Sequence, residues 1–376
     1  MIASHWVGRA LVCAAVMLLG GCSSSDKPTP TPLENLNTSA SAQPLWSVRL
    51  GSNLAATLRM VVADGLVITV DNDGHASARE LLSGKERWQG RVDADISAGV
   101  GSDGRYAAVV TKKNELIVLD SGLVKWRAAL RTQVVTPPLV AGERVFVQGV
   151  DRAVMAFDVI DGRKLWAYQR PSDPLALTQA GVLQPVGNTL WVGIGARLVA
   201  LDPVRGVARQ DVSVASPRGG NEVERLADLV GPAARLGNVL CARAFQTAVG
   251  CVDTSQSAGA LWSKTQSGIQ AIAMDGDLVY GVDASDRMVA WRRDSGDVAW
   301  RAEQLLYRGL SAPAAMAGNV VVGDAQGYVH VLSARDGHTV ARLTTDGSAI
   351  ASPMIAVGST LLVLTRDGAL YAFSLN

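Results

Sequence analysis

Few side chains in this chain of 376 residues are of a type and spacing that could carry out chemistry. Beyond the N-terminal segment the histidines are His75, His330 and His338, far apart and lacking the short intervals at which zinc ligands recur. No Gly-x-Ser-x-Gly elbow occurs, and Gly193-Ile194-Gly195 leads into another strand pattern instead of the helix that would receive a dinucleotide phosphate. The aspartates gather in turns, as in Asp73-Gly74, Asp161-Gly162, Asp336-Gly337 and Asp367-Gly368. Hairpin backbone conformation accounts for such pairs, whereas a calcium site needs several oxygens converging on one point. Cys241 and Cys251 differ, because they flank a turn at residues 245–247. Strands that set them directly opposite would form a disulfide in an oxidising compartment; a one-residue slip would leave two unbridged thiols on opposite faces. The expected chemistry is binding, with no catalytic residue, no metal and no cofactor.

These residues ride on a repeating element. Residues 139–167 hold four apolar runs separated by Gly142, Asp151-Arg152 and Asp161-Gly162, and the last run carries Trp166. Alternating apolar residues between tight turns read as a meander of four antiparallel strands. The tryptophan slot recurs at Trp46, Trp88, Trp126, Trp166, Trp262 and Trp300, with Ala208 and Ala341 in the equivalent place after Arg205-Gly206 and Asp336-Gly337. Intervals run from 38 to 42 residues, except for 54 between Ala208 and Trp262. A period near forty with four strands per unit marks a β-propeller blade, while a helical solenoid would show a 3.6-residue apolar period. Eight slots predict an all-β fold, an eight-bladed β-propeller of four-stranded antiparallel blades.

Composition narrows the partners. The 48% hydrophobic content suffices for a large core, and 38 glycines supply the many hairpin turns. With 35 basic against 34 acidic residues, no cationic excess exists to hold a nucleic-acid backbone.

Residues 1–21 form a processing segment. His5 and Arg9 precede an apolar run at residues 10–19, too short for a permanent membrane span, and Leu19-Gly20-Gly21-Cys22 follows at once. This sequence resembles the bacterial lipobox, in which the cysteine is acylated and becomes the first mature residue. Ser23, in place of Asp, resembles the pattern that sorts such proteins to the outer membrane. Residues 22–43 are rich in Ser, Thr, Pro and Asn and read as a flexible tether, leaving 44–376 for the propeller. The strand at Trp46 has no three strands before it, and the runs at 350–357, 360–365 and 369–375 have no fourth after them. The N-terminal strand should therefore join the C-terminal blade, closing the ring and hiding two edges.

Two connections break the repeat. Residues 169–179 precede blade 4, and residues 213–224 (SVASPRGGNEVE) lie between blades 4 and 5. Irregular loops on a regular scaffold are where function concentrates. A generic peptide-binding propeller would instead use the central funnel, where small residues such as Ser97-Ala98-Gly99, Thr136-Pro137-Pro138 and Ser311-Ala312-Pro313 suit packing at the axis.

The form Ala-x-Asp-x-x-x-Gly-x-x-x-Trp, seen at Ala156, Asp158, Gly162 and Trp166, is similar to the repeat of the pyrroloquinoline-quinone enzyme propellers, whose tryptophan docks between blades. Those dehydrogenases are longer, with a calcium site and usually adjacent cysteines, which this chain lacks. A lipobox joined to eight such blades, with Pro174-Leu175-Ala176-Leu177-Thr178 and Glu222-Val223-Glu224-Arg225-Leu226-Ala227-Asp228, resembles the BamB (YfgL) family of the outer-membrane β-barrel assembly (BAM) machinery. The resemblance covers the whole mature chain. It implies a non-catalytic lipoprotein on the periplasmic face of the outer membrane, assisting insertion of β-barrel proteins, with unfolded barrel chains as further partners. It also implies contact with a POTRA domain of BamA through Leu175, Leu177, Thr178, Arg225 and Asp228. Two positions depart from the family pattern: Thr178 stands where the family has Arg, and Val230 where some members have a second Asp.

Overall fold

The structure is a computed structural model that describes residues 28–36, 44–170, 175–217, 220–223, 225–255, 259–316, 318–351 and 353–375. Two units are defined, residues 1–30 and 31–376, and the second holds the fold. Cys22, residues 1–21 and most of residues 22–43 lie outside the described residues, as do Pro174 and Glu224.

Among the described residues the strands form eight separate four-stranded antiparallel sheets. Blades 1 to 7 span residues 61–91, 96–129, 139–168, 183–213, 229–265, 273–302 and 314–344. Blade 8 combines residues 355–374 with Pro44–Arg49, which pairs antiparallel with Ala369–Ser374, so the ring closes as the unpaired ends require. In blade 3 the strands are Leu139–Ala141, Arg144–Gln148, Val154–Asp158 and Lys164–Tyr168, within a residue or two of the apolar runs. Blade 8 differs from expectation at its first strand. Pairing begins at Ile355, and Ile350 makes a single bridge to Thr365 instead. Pro353, which has no N–H to donate, falls between them.

Why the second and third strands read as unbroken apolar runs is clear from their burial. Tyr106–Thr111 (YAAVVT) is buried at every position, because neighbouring blades cover both of its faces. Outer strands such as Pro44–Arg49 are covered less and alternate.

The Gly-x-x-x-Trp spacing encodes contact between neighbours. Trp126 of blade 2 donates its indole N–H to the Val159 carbonyl of blade 3 at 2.9 Å and lies on Gly162, where a Cβ would come within 2.6 Å of the ring. Trp46 repeats this with Leu81 and Gly84, Trp166 with Pro203 and Gly206, Trp262 with Arg293 and Gly296, and Trp300 with Ala334 and Gly337. Each glycine also has positive φ, so it serves its own turn and the neighbour's indole together. Ala341 now has a reason. Its neighbour, blade 8, has no turn between its third and fourth strands to receive a ring. Blade 4 corrects the sequence reading: the slot four residues after Gly206 is Gln210, which pairs with Ala200 as Trp166 pairs with Ala156, while Ala208 pairs with Leu201 on the other side of the bulge. The turn that this slot would reach in blade 5 begins Thr254-Ser255 without that glycine.

Cys241 and Cys251 occupy directly opposed positions on Val239–Ala244 and Ala248–Asp253, with Cα atoms 4.0 Å apart, joined as a disulfide and fully buried against Trp262 and Trp291. Residues 31–36, part of the expected tether, contact blade 7 and the connection that enters it. The Thr31 N–H donates to the Leu306 carbonyl, Arg308 donates to the Thr31 carbonyl at 3.0 Å, Arg342 donates to the Glu34 carbonyl, and Leu33 packs against the core cluster shared by blades 6 and 7.

Candidate functional site

The two irregular connections enter the first strands of adjacent blades, Leu183–Val186 of blade 4 and Leu229–Leu236 of blade 5, and so open on one end of the ring. What holds them together is a residue whose sequence context is that of a plain turn. Arg152 follows Asp151 in the hairpin between the second and third strands of blade 3, with φ of 62°. That backbone conformation is uncommon for a bulky side chain. Its Nη2 donates to the Leu175 carbonyl at 2.7 Å and lies 2.8 Å from Asp228 Oδ1. The other Asp228 oxygen accepts the Leu177 N–H at 2.8 Å.

Asp228 is therefore chiefly a staple. Its side chain is 17% exposed and that of Arg152 is 11%. A charge so withdrawn from water persists because it is paired and hydrogen-bonded. Below them, Thr136 accepts the Gly181 N–H and Gln148 donates to the Gly193 carbonyl, fixing the entry into blade 4.

The staple leaves apolar side chains facing solvent. Leu175 is 40% exposed, while Leu177 is half-buried and Thr178 is exposed at the edge of the central cavity. Val223, in the connection to blade 5, is 70% exposed, and Ile269, in the connection to blade 6, is exposed as well. Gln179 ties these connections by donating to the Ile269 carbonyl at 2.9 Å. Arg225 is half-buried, with its backbone N–H bonded to the Asn221 carbonyl. Val230 is buried against Ala271 and Ala312, a setting that suits an apolar residue. Beside this face Asp211 is shared by Arg170 and Arg197. Burial alone would raise the Asp211 pKa, but the bonds from Arg197 and Arg170 outweigh it and hold the carboxyl low.

No feature of the bare sequence singles out Arg152 or Ile269 as part of this face, whereas Val223 lies in the irregular connection into blade 5. The one signal for Arg152 is positional, since the middle hairpin of one blade abuts the connection entering the next. The three histidines are separate: His75 pairs with Asp71, His338 with Asp336, and His330 is buried against Asp324. Among the described residues no group of His, Cys, Asp or Glu is arranged to hold a metal ion.

A closed propeller whose irregular loops are stapled into an apolar presenting face belongs to the class of docking scaffolds. A family profile described as "Outer membrane protein assembly factor BamB" matches residues 75–302. The assembly factor BamB of Bordetella pertussis is 34% identical over 377 residues, covering 99% of this chain and 97% of that protein. The chain belongs to the BamB family of outer membrane protein assembly factors, a non-catalytic scaffold family associated with the outer membrane and the BAM complex. The fold is also that of the crystal structure of BamB from Moraxella catarrhalis, with TM-score 0.79, 23% identity, and 89% of this chain and 100% of that one covered. Quinohemoprotein alcohol dehydrogenase from Comamonas testosteroni matches with TM-score 0.67 at 14% identity over 89% of this chain and 76% of that one, a likeness of fold alone.

Proposed function

We propose that this scaffold docks a POTRA domain of BamA on the face formed by the connections into blades 4 and 5. Leu175 is the exposed apolar anchor, Leu177 shapes the loop beneath it, and Thr178 and Arg225 belong to the polar rim. The observation that carries this reading is the Arg152–Asp228 pair, which fixes both Leu175 and Leu177 through their backbones while leaving Leu175 in water. A small apolar centre with a charged rim, held rigid before binding, is how compact protein interfaces gain affinity. Thr178 lacks the bidentate reach of Arg, so the rim contact at this position is weaker than in relatives that carry Arg there.

Acylated Cys22 anchors the mature chain on the periplasmic face of the outer membrane, after removal of residues 1–21. Several acyl chains on one cysteine give the stable attachment that a single chain cannot. Replacing Cys22 by Ser is expected to leave the protein soluble or unprocessed, and membrane-bound protein with an unmodified mature Cys22 would refute the anchor.

The docking face is tested by Leu175→Ala combined with Leu177→Ala, and separately by Asp228→Ala. Both variants are expected to lose co-purification with BamA while the thermal transition stays within a few degrees of wild type. Retained co-purification in both would place the interface elsewhere on the ring.

A further inference from the structure

At the same end of the ring, the segments entering the first strands enclose a cavity of about 310 Å³ on the central axis. Two cations line it, Arg59 before blade 1 and Arg366 in the middle hairpin of blade 8, together with Gln179, Gln270 and Ser311. No carboxylate lines it among the described residues. Arg59 Nη2 reaches across the axis to the carbonyl of Gly231 in blade 5 at 2.6 Å, the blade diametrically opposite its own. Its Nε is buried with no hydrogen-bond partner, and the Arg366 side chain has no hydrogen bond or ion pair among the described residues. Burial brings the Arg59 pKa down to about 10, which still leaves the group charged at neutral pH.

Arg59 is half-buried and Arg366 exposed, and neither meets a carboxylate, so the cavity presents two positive charges that an anion would complete. Elsewhere such groups are compensated in one of two ways: Arg152 meets Asp228 and Arg308 meets Asp324, while the fully buried Arg243 donates to the carbonyls of Gln270, Gln266, Ser267 and Val282; Arg59 has one carbonyl and no carboxylate. We infer that the axial cavity is a carboxylate-binding site, in which Arg59 and Arg366 clamp the free carboxyl end of a polypeptide and the amides of Gln179 and Gln270 meet its last peptide groups. The volume lies at the low end for ligand pockets, so a chain end fits where a folded element or a doubled-back loop does not. Arg is suited to this role because its planar fork matches a carboxylate in two-point contact.

The test uses the intact mature protein and isothermal titration with a short peptide carrying a free terminal carboxylate, the same peptide amidated, and inorganic phosphate. The free acid is expected to bind at least tenfold more tightly than the amide, with affinity falling as salt rises. Arg366→Gln, whose side chain holds nothing else in place, is expected to weaken the free acid at least tenfold and leave the melting temperature unchanged. Arg59→Gln should do the same for binding, with circular dichroism reporting whether the cross-axis bond also serves the fold. Equal affinity for acid and amide, undiminished binding in Arg366→Gln, or binding of phosphate without the peptide would each overturn the assignment. Because no BamA is present, failure here leaves the docking face untouched.

Discussion

Arg152 Nη2 stands 2.8 Å from Asp228 Oδ1, joining the middle hairpin of blade 3 to the connection that enters blade 5. The pair passes over the intervening connection into blade 4 and takes hold of it at Leu175 and Leu177. Loop shape in this region is thus set by a side chain that need not touch any partner. Arg152→Gln is expected to weaken binding of the isolated POTRA domains about 10- to 100-fold, equivalent to losing one or two charge-assisted hydrogen bonds. Asp228→Ala in the same background should add little, because both changes release the same loop. Full additivity in a double-mutant cycle measured by titration would mean that Asp228 contacts the partner directly.

Rim glycines offer a second test, since two of them share positive φ but differ in surroundings. Gly162 carries the Trp126 indole, whereas a Cβ added at Gly142 would meet nothing within 4 Å. Gly142→Ala is expected to cost about 1 kcal/mol from backbone strain alone. Gly162→Ala adds overpacking against the ring and should cost about 2–4 kcal/mol in all. Urea midpoints compared between the two variants decide it, and equal losses would remove the interblade role of the indole.

The bridge between Cys241 and Cys251 closes a short loop within one blade. Denatured, unreduced mature protein is expected to show no reactive thiol from this pair, and two would sink the bridge. Replacing both cysteines by Ala should cost about 2–3 kcal/mol, the loop-closure value for a ring of this size. Binding to BamA should survive, because the pair lies inside blade 5 against Trp262 and Trp291, away from the connections.

Acid sensitivity should centre on blade 7. His330 is fully buried, its Nε2 3.0 Å from Asp324, while Arg342 donates toward Nδ1 at 3.4 Å, which requires that nitrogen to be unprotonated. Burial pushes the His330 pKa below its ordinary value, partly offset by Asp324. Burial would raise Asp324, but hydrogen bonds from His330, the Tyr328 N–H and Arg308 prevail and hold it low. For both groups the unfolded chain takes up protons first as pH falls. The His330 contribution is complete above about pH 6.5 and is lost as pH drops through the lower folded value; the Asp324 contribution goes later, below about pH 4. His330→Gln is expected to flatten the dependence of the urea midpoint between about pH 6.5 and 5, and an unchanged slope there would refute this origin.

The repeat is legible because a blade carries both halves of the interblade contact four residues apart, the turn glycine that receives the previous blade's indole and the tryptophan that reaches the next blade, and that spacing survives in a bare sequence. The exception at Ala341 marks a real difference in the neighbouring blade, visible only when the ring is closed, whereas Ala208 is two residues off, because without the strand register nothing marks Gln210 as the equivalent position. Leu175, Leu177 and Asp228 stand out by breaking the period, but the role of Asp228 does not. Arg152 is hidden because Asp-Arg between two apolar runs looks like any hairpin, and its partner lies 76 positions further on. Arg59 is hidden for the same reason, with its acceptor at Gly231 on the far side of the ring. Pairings between blades depend on circular order, which local patterns do not carry.

Blade 8 has a kinetic consequence. Ser47 pairs with Tyr371 and Val48 with Leu370, partners about 320 residues apart along the chain. Every other strand finds its sheet within its own blade, so most of the ring can form as a relay of local hairpins. A chain made from its N-terminus carries Pro44–Arg49 as a strand without a mate until nearly everything else has emerged. The final act of folding is then a long-range capture, whose loop-closure cost falls on a single seam. Opening of the native ring should begin at that seam, so amide protons of Ser47 and Val48 should exchange well before those of Val118 or Val321, even though all four belong to paired strands.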